Sequence, residues 1–257
     1  MSRAKKHFGQ HFLHEHGYLD RIVAAIAPQP GDRLVEIGPG EGAMTFPLLK
    51  RAGRMTAIEL DTDLIPRLRE RAADIGELEI IQADVLSVDF TALAEGHPLR
   101  IVGNLPYYIS SPILFHCLKH VDAITDMHFM LQKEVVDRMA AAPGSKIYGR
   151  LSVMLQLVCE VTALFTVPPG AFRPPPKVDS AVVRLRPRPL AQRPDVDANR
   201  LYAVVRAAFA QRRKTLGNAL KGLLDAPSIA ACGIDPKARA ETLAPADFVL
   251  LTRALTA

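Results

Sequence analysis

The sequence predicts an α/β fold: a doubly wound parallel sheet followed by a small all-helical part. Three observations carry this expectation. Apolar runs of strand length alternate with helical patterns through the first half of the chain, which is the mark of a parallel sheet wrapped by helices. Two β-branched runs then follow around a Pro-rich stretch. Beyond a segment rich in Pro and Arg, only helical periodicity remains.

In chain order, the strand-length runs are "RLVEI" (Arg33 to Ile37), "MTAIEL" (Met55 to Leu60), "LEIIQA" (Leu78 to Ala83), "LRIVGN" (Leu99 to Asn104) and "MHFML" (Met127 to Leu131). Their near-continuous apolar character suits strands buried on both faces. "EVTALFTV" and "SAVVRLRP", separated by "PPGAFRPPPK", predict two further strands at one sheet edge, a hairpin-like pair joined by a rigid loop. "RPRPLAQRPD" reads as a linker. Past it come "ANRLYAVVRAAFAQ", "TLGNALKGLL" and "PADFVLLTRAL" with period-3.6 patterning, so the expected division is 1–188 and 189–257.

Composition narrows the function classes. The 257 residues are 49% hydrophobic and 23% charged, which is enough to bury a full core and argues against disorder. No run of some 18 apolar residues offers a membrane span, and "MSRAKKHFGQ" lacks the apolar stretch of a secretory signal, so a cytoplasmic protein without membrane attachment is expected. Cys117, Cys159 and Cys232 are scattered and odd in number, which points to free thiols rather than a disulfide framework or a zinc site. The eight His show no metal-ligand spacing, and no metal is expected. The net charge of +5 is concentrated in "RAKKH" near the start, in "RLRPR" (Arg184 to Arg188) and in "RRK" (Arg212 to Lys214), which makes an anionic partner plausible.

The first stretch with chemistry in it is "VEIGPGEGAMT", where a strand ends at Ile37 and a helix is expected from about Ala43. Gly38 and Gly40 allow a tight turn and let a ligand approach the backbone near helix N-terminal amides. As a string, this also fits a dinucleotide loop, or a strand-to-helix turn with no ligand. Glu59, ending the second strand, suits ribose hydroxyls under either ligand reading. Asp84, ending the third strand in "QAD", discriminates: a carboxylate there can accept from the exocyclic amine of an adenine, where a dinucleotide enzyme needs room for its second nucleotide.

Taken together and in order, "FGQHFL", "EIGPGEGAMT", "AIELD", "QAD", "GNLPYYISSPI", "MLQKEV", "YGRLSVM", "FRPPPKVDSAVV" and "QRRKTLGNAL" resemble the small-subunit rRNA adenine N6,N6-dimethyltransferases that use S-adenosylmethionine. The resemblance runs from about His7 to Leu220, and the helical tail favours the ribosomal housekeeping branch over the macrolide-resistance branch. It implies a Rossmann-like methyltransferase sheet over 1–188 and a small RNA-binding domain over 189–257. It implies S-adenosylmethionine held by His11, Leu13, Gly38, Gly40, Glu59, Asp84 and Asn104. His11 stands where many members carry Asn, so that position is expected to act through its backbone.

The resemblance also gives "GNLPYY" a chemical reading. The lone pair of an adenine amine is delocalised into the ring, so the amine must be bent toward tetrahedral geometry before it attacks. Asn104 offers a side-chain carbonyl for this, and Leu105 a backbone carbonyl whose direction is restricted by Pro106. Tyr107 is expected to stack on the extruded base with Phe172 as the second face, and Tyr108 to pack. The implied substrate is two adjacent adenines in a hairpin near the 3′ end of small-subunit rRNA, within a pre-ribosomal particle, and a monomeric enzyme is expected. Two other readings are a non-catalytic RNA-binding assembly factor and a DNA adenine methyltransferase. Intact Glu59, Asp84 and "NLPY" count against the first; Leu105, where DNA adenine enzymes usually carry Pro, counts against the second.

Overall fold

The computed structural model describes residues 11–255; the basic cluster "RAKKH" and the "FGQ" of the first motif lie outside them. The chain forms two compact units. The first runs to Val136 and resumes over Thr162–Pro187, and the second comprises Asp137–Val161 and the chain from Arg188 onward. The expected break at 188/189 is therefore joined by a second excursion, in which Asp137–Val161 groups with the C-terminal helices.

In chain order, the first unit contains β1 (Phe12–Leu13), α1 (His16–Ile26), β2 (Leu34–Ile37), α2 (Thr45–Ala52), β3 (Arg54–Glu59), α3 (Ile65–Ala72), β4 (Glu77–Gln82), α4 (Phe90–Ala94), β5 (Leu99–Asn104), α5 (Ser110–Lys119) and β6 (Ile124–Gln132). Helix α6 (Lys133–Met139) and α7 (Arg150–Val158) lead through the second unit, and β7 (Cys159–Val167), β8 (Phe172–Arg173) and β9 (Ser180–Pro187) follow. The seven-stranded sheet has the order β4-β3-β2-β5-β6-β9-β7. Strands β4 to β6 pair in parallel and β9 runs antiparallel to β6. The two β-branched runs are thus neighbours at one edge, as their sequences suggest.

The winding direction reverses between β2 and β5, and in open α/β sheets the crevice at that reversal is where ligands bind. The two strands that flank it are buried almost throughout: Leu34, Val35, Ile37, Leu99, Ile101 and Val102 are all at most 3% exposed. Their side chains supply the continuous apolar character that a doubly covered strand needs. The outer strand β4 instead alternates, with Glu77 and Glu79 on the open side; Glu79 accepts from Thr56 Oγ1 at 3.3 Å and Glu77 lies 3.7 Å from Arg54.

The opposite end of β5 is anchored by charge. Arg100 reaches Asp32 at 2.6 Å, Asp126 at 3.0 Å and the carbonyl of Ile26 at 2.6 Å. One guanidinium therefore ties the end of α1, the entry to β2, and strands β5 and β6, with each of its three nitrogens bonded to an acceptor.

A small second sheet was not visible in the sequence. β1 pairs antiparallel with β8, placing Phe12 opposite Arg173 and Leu13 opposite Phe172, and His14 N–H donates to Ala171 C=O at 3.0 Å. This pairing staples the described N-terminal residues to the Pro-rich loop.

The second unit has its own core. Helices α8 (Ala198–Ala208), α9 (Leu216–Ala219), α10 (Ala226–Ala231) and α11 (Pro245–Ala254) gather around Leu201, Val204, Leu216, Ile229, Phe248 and Leu251. Helix α7 packs on α8 and α11. Tyr148, Phe209 and Phe248 form an aromatic chain with ring centroids 6.0 and 5.6 Å apart.

Gly103 controls how closely β5 approaches β2. A Cβ there would lie 2.8 Å from the carbonyl oxygen of Ile37 and 2.9 Å from Leu105 Cδ2. Since the first obstacle is backbone, Gly103→Ala is expected to lower stability by about 1–3 kcal/mol through overpacking. Chemical denaturation of the variant beside the parent measures it; an unchanged midpoint would mean that the two strands can part without cost.

Candidate active site

A cleft of about 150 Å³ opens at the carboxyl ends of β2, β3, β4 and β5, lined by residues of the first unit. It brings together His11, Leu13, Gly38, Gly40, Glu59, Asp84, Asn104, Leu105 and Tyr107. These residues come from five separate segments, and the topology alone unites them.

The Gly-rich loop forms the floor. Gly38 and Gly40 have φ of 66° and 59°, in the left-handed region that side chains disfavour. A Cβ on Gly38 would meet nothing within 4 Å, whereas one on Gly40 would lie 3.1 Å from the Phe12 ring. Gly38 therefore leaves open space beside the backbone, and Gly40 lets β1 close over the loop. From outside, Arg71 donates to the carbonyl of Glu41 at 2.9 Å while its guanidinium lies 4.1 Å over the Phe46 ring.

Two buried carboxylates stand behind this loop. Glu59 accepts from Asp61 N–H at 2.8 Å and from Gly40 N–H at 3.2 Å, so it is already oriented by backbone donors. Burial raises its pKa, and those donors oppose the rise. Glu36, which the sequence patterning does not single out, also lines the cleft. It is 1% exposed and accepts from Thr45 Oγ1 at 2.6 Å. Burial, only partly offset by this hydrogen bond and reinforced by the charge of Glu59, pushes its carboxyl up to about 7. A carboxylate inside the otherwise apolar "LVEI" was the available signal. Asp84 is exposed at the end of β4, its Oδ1 held by Leu86 N–H at 3.0 Å.

The opposite wall is the segment after β5. Leu105 N–H donates to Met130 C=O at 3.1 Å, carrying the ladder one residue past the strand. Ser110 Oγ donates to Tyr107 C=O at 3.1 Å, and Ile109 N–H to Pro106 C=O at 3.2 Å, so the turn is fixed from within. The Asn104 amide nitrogen donates to His11 C=O at 3.1 Å. This orients the side chain and leaves Oδ1 as its remaining acceptor. Tyr107 is half-buried, and its hydroxyl shares a hydrogen bond of 2.7 Å with Ser180; burial raises its phenol pKa.

One expectation needs correction: Tyr108 does not pack, being 63% exposed at the cleft. Phe172 is 2% exposed and belongs to the same buried cluster as Leu13, Met130 and Val182, its backbone paired opposite Leu13 in β8. Among the described residues, no cluster of three or more His, Cys, Asp or Glu is placed to hold a metal, and no helix is long and apolar enough to cross a membrane.

Comparison with known proteins gives this arrangement its context. The model of one protein family, "Ribosomal RNA adenine dimethylase", matches residues 1–257. The chain belongs to the ribosomal RNA adenine dimethylase family. A curated member, "Ribosomal RNA small subunit methyltransferase A" of Xanthomonas campestris pv. campestris (strain B100), is 65% identical over 248 residues, covering 96% of this chain and 95% of the relative. Among solved structures, a dimethyladenosine transferase from Plasmodium falciparum superposes with TM-score 0.81 at 27% identity, covering 94% and 96% of the two chains. The 23S rRNA methyltransferase ErmE superposes with TM-score 0.73 at 27% identity, covering 96% and 100%.

As a ribosomal RNA adenine dimethylase, the chain is a methyltransferase with a Rossmann-like sheet, and its methyl donor is S-adenosylmethionine. The cleft fits that donor. It offers acceptors for hydroxyl and amine groups at the ends of β3 and β4, and a glycine loop with no side chain in the way.

The raised pKa of Glu36 has a sign that can be measured. A carboxyl whose folded pKa exceeds its unfolded value stabilises the fold fully below the unfolded value, about 4.5, and this is lost as pH rises to about 7. Glu36→Gln, which cannot ionise, should gain on the parent across that window by at most about 3 kcal/mol and by nothing further above it. Parallel denaturation curves from pH 4 to 8 test this. A constant difference between the two proteins would mean that Glu36 is not held protonated.

Proposed function

We propose that the enzyme transfers methyl groups to the N6 amines of two adjacent adenines in a hairpin near the 3′ end of small-subunit rRNA, giving N6,N6-dimethyladenosines. The observation that carries the chemistry is the hydrogen bond from Asn104 to His11 C=O, which leaves Asn104 Oδ1 as an acceptor at the cleft beside Tyr107. The choice of small-subunit rRNA is supported by the name of the 65% identical relative.

Bound S-adenosylmethionine would supply an electrophilic methyl group on sulfur. Gly38, Gly40, Leu13, Glu59 and Asp84 hold it, and His11 contributes through its backbone. Asn104 Oδ1 and the carbonyl of Leu105 accept from the adenine amine and bend it toward tetrahedral geometry, freeing its lone pair. Tyr107 stacks on the base. No strong base is needed, because the proton becomes acidic once the nitrogen is alkylated; the catalytic gain comes from positioning and electrostatics.

The second unit, and within it the segment 189–257, is read as the RNA-binding part. Arg212, Arg213 and Lys214 are exposed on one loop, and Arg212 donates to Lys146 C=O at 2.5 Å, which steadies that loop. The reading extends to a monomeric cytoplasmic enzyme, using no metal, whose substrate is rRNA within a pre-ribosomal particle.

Single-turnover methyl transfer on small subunits that lack the modification, run beside calorimetric titration with S-adenosylhomocysteine, tests the chemistry. Tyr107→Ala should slow transfer about 5- to 150-fold, the equivalent of about 1–3 kcal/mol of base stacking, with the titration nearly unchanged. Tyr107→Phe should keep most of the rate. Asn104→Ala should slow transfer at saturating RNA. Normal turnover by both alanine variants would remove these residues from the mechanism.

RNA binding has a separate measure. Neutralising Arg212, Arg213 and Lys214 together should weaken binding similarly across RNA sequences. It should also flatten the slope of log affinity against log salt by up to about 0.7–0.9 for each phosphate no longer neutralised by the protein. An unchanged slope would place the RNA elsewhere.

A further inference from the structure

His11 makes contact with both groups proposed to handle the adenine. Its backbone carbonyl receives the amide of Asn104 at 3.1 Å. Its ring lies against Tyr107 with centroids 5.8 Å apart and planes inclined by 28°, a stacked arrangement. Its Nδ1 is 2.8 Å from Pro174 C=O, and because a carbonyl can only accept, Nδ1 carries the proton. The imidazole is thus held at its edge by the Pro-rich loop and presents its face to the phenol.

We propose that His11 is a positioning residue for the target adenine, its ring backing Tyr107 and so setting the plane on which the base stacks. The inference rests on the role given to Tyr107 above and adds a side-chain function at a position otherwise expected to act through its backbone.

Tyr107 rotates about two side-chain torsions. Its hydroxyl is tied to Ser180 at 2.7 Å, which fixes the tip of the ring but not its rotation about the long axis. A second ring against one face removes that rotation. The geometry also excludes a different role. A base between the two rings would need stacking contact on each side, roughly 7 Å or more in total. The observed 5.8 Å leaves no such slot. His11 therefore backs the phenol and the adenine takes the other face.

Three variants separate the side chain from the backbone: His11→Ala, His11→Asn, which keeps a polar side chain without a ring, and His11→Phe, which keeps a ring without the bond to Pro174. Each is measured by single-turnover methyl transfer on unmodified small subunits at saturating donor, by S-adenosylhomocysteine titration and by thermal unfolding, with Tyr107→Ala and the His11→Ala/Tyr107→Ala double variant alongside.

His11→Ala and His11→Asn should slow transfer about tenfold while S-adenosylhomocysteine affinity stays within about twofold, since a stack that acts on the base does not touch the donor. His11→Phe should recover most of the rate. The double variant should be little slower than Tyr107→Ala alone, because both changes disable one stack. Full activity of His11→Ala beside a slow Tyr107→Ala overturns the positioning role and leaves the proposed function standing. So does a loss shared by the Phe variant, or one matched by weakened S-adenosylhomocysteine binding. A fully active Tyr107→Ala overturns the proposed function itself, and this inference with it.

Discussion

The close passage of β5 over β2 is the constraint from which the site follows. Gly103 leaves no room for a side chain between its own backbone and the carbonyl of Ile37, so the two strands end side by side. The residue after Gly103 is Asn104 and the residue after Ile37 is Gly38. The acceptor wall and the glycine floor of the cleft are therefore set by a single backbone contact. Everything beyond that point is loop, and the loops are held by hydrogen bonds: Ser110 to Tyr107 and Ile109 to Pro106 within one turn, and Gly40 to Glu59 between two strand ends. A rigid sheet carrying tightly capped loops suits a reaction that depends on positioning more than on acid–base strength.

Charge is distributed along β5 with a clear polarity. At its start, Arg100 satisfies two carboxylates and a carbonyl, and this part-buried network contributes geometry more than net energy. At its other end, the carboxylates of Glu36 and Glu59 lie behind the glycine loop with no cation among the contacts that hold them, only hydroxyl and amide donors. Buried acids so placed favour the protonated form, and at Glu36 the effect reaches neutral pH. The cleft thus has a polar back wall and an aromatic front made by His11, Tyr107 and Tyr108.

Much of this was legible in the sequence, for identifiable reasons. The central parallel strands announced themselves because strands covered on both faces are largely apolar, and the glycine loop because positive φ at Gly38 and Gly40 admits little else. What escaped depends on contacts between distant segments. Strands β1 and β8 are two residues each and carry no periodicity, so neither the pairing of Leu13 with Phe172 nor the burial of Phe172 could be read from spacing. Glu36 is marked in the sequence only as a carboxylate within an apolar run; its burial and its bond from Thr45 are tertiary outcomes. The membership of Asp137–Val161 in the second unit is a packing outcome of α7 against α8 and α11, which no local pattern encodes.

The outer strand β4 has a consequence for how the protein behaves among copies of itself. Among the described residues no strand pairs with its outer edge, and such an edge is the usual template for one sheet to extend another. Glu77 and Glu79 punctuate that edge, and their cross-strand partners Arg54 and Thr56 belong to the same molecule. Two such edges meeting antiparallel would bring like charges face to face, a destabilising pairing. The same alternation that marks β4 as a boundary strand thus disfavours edge-to-edge pairing between two copies of the chain.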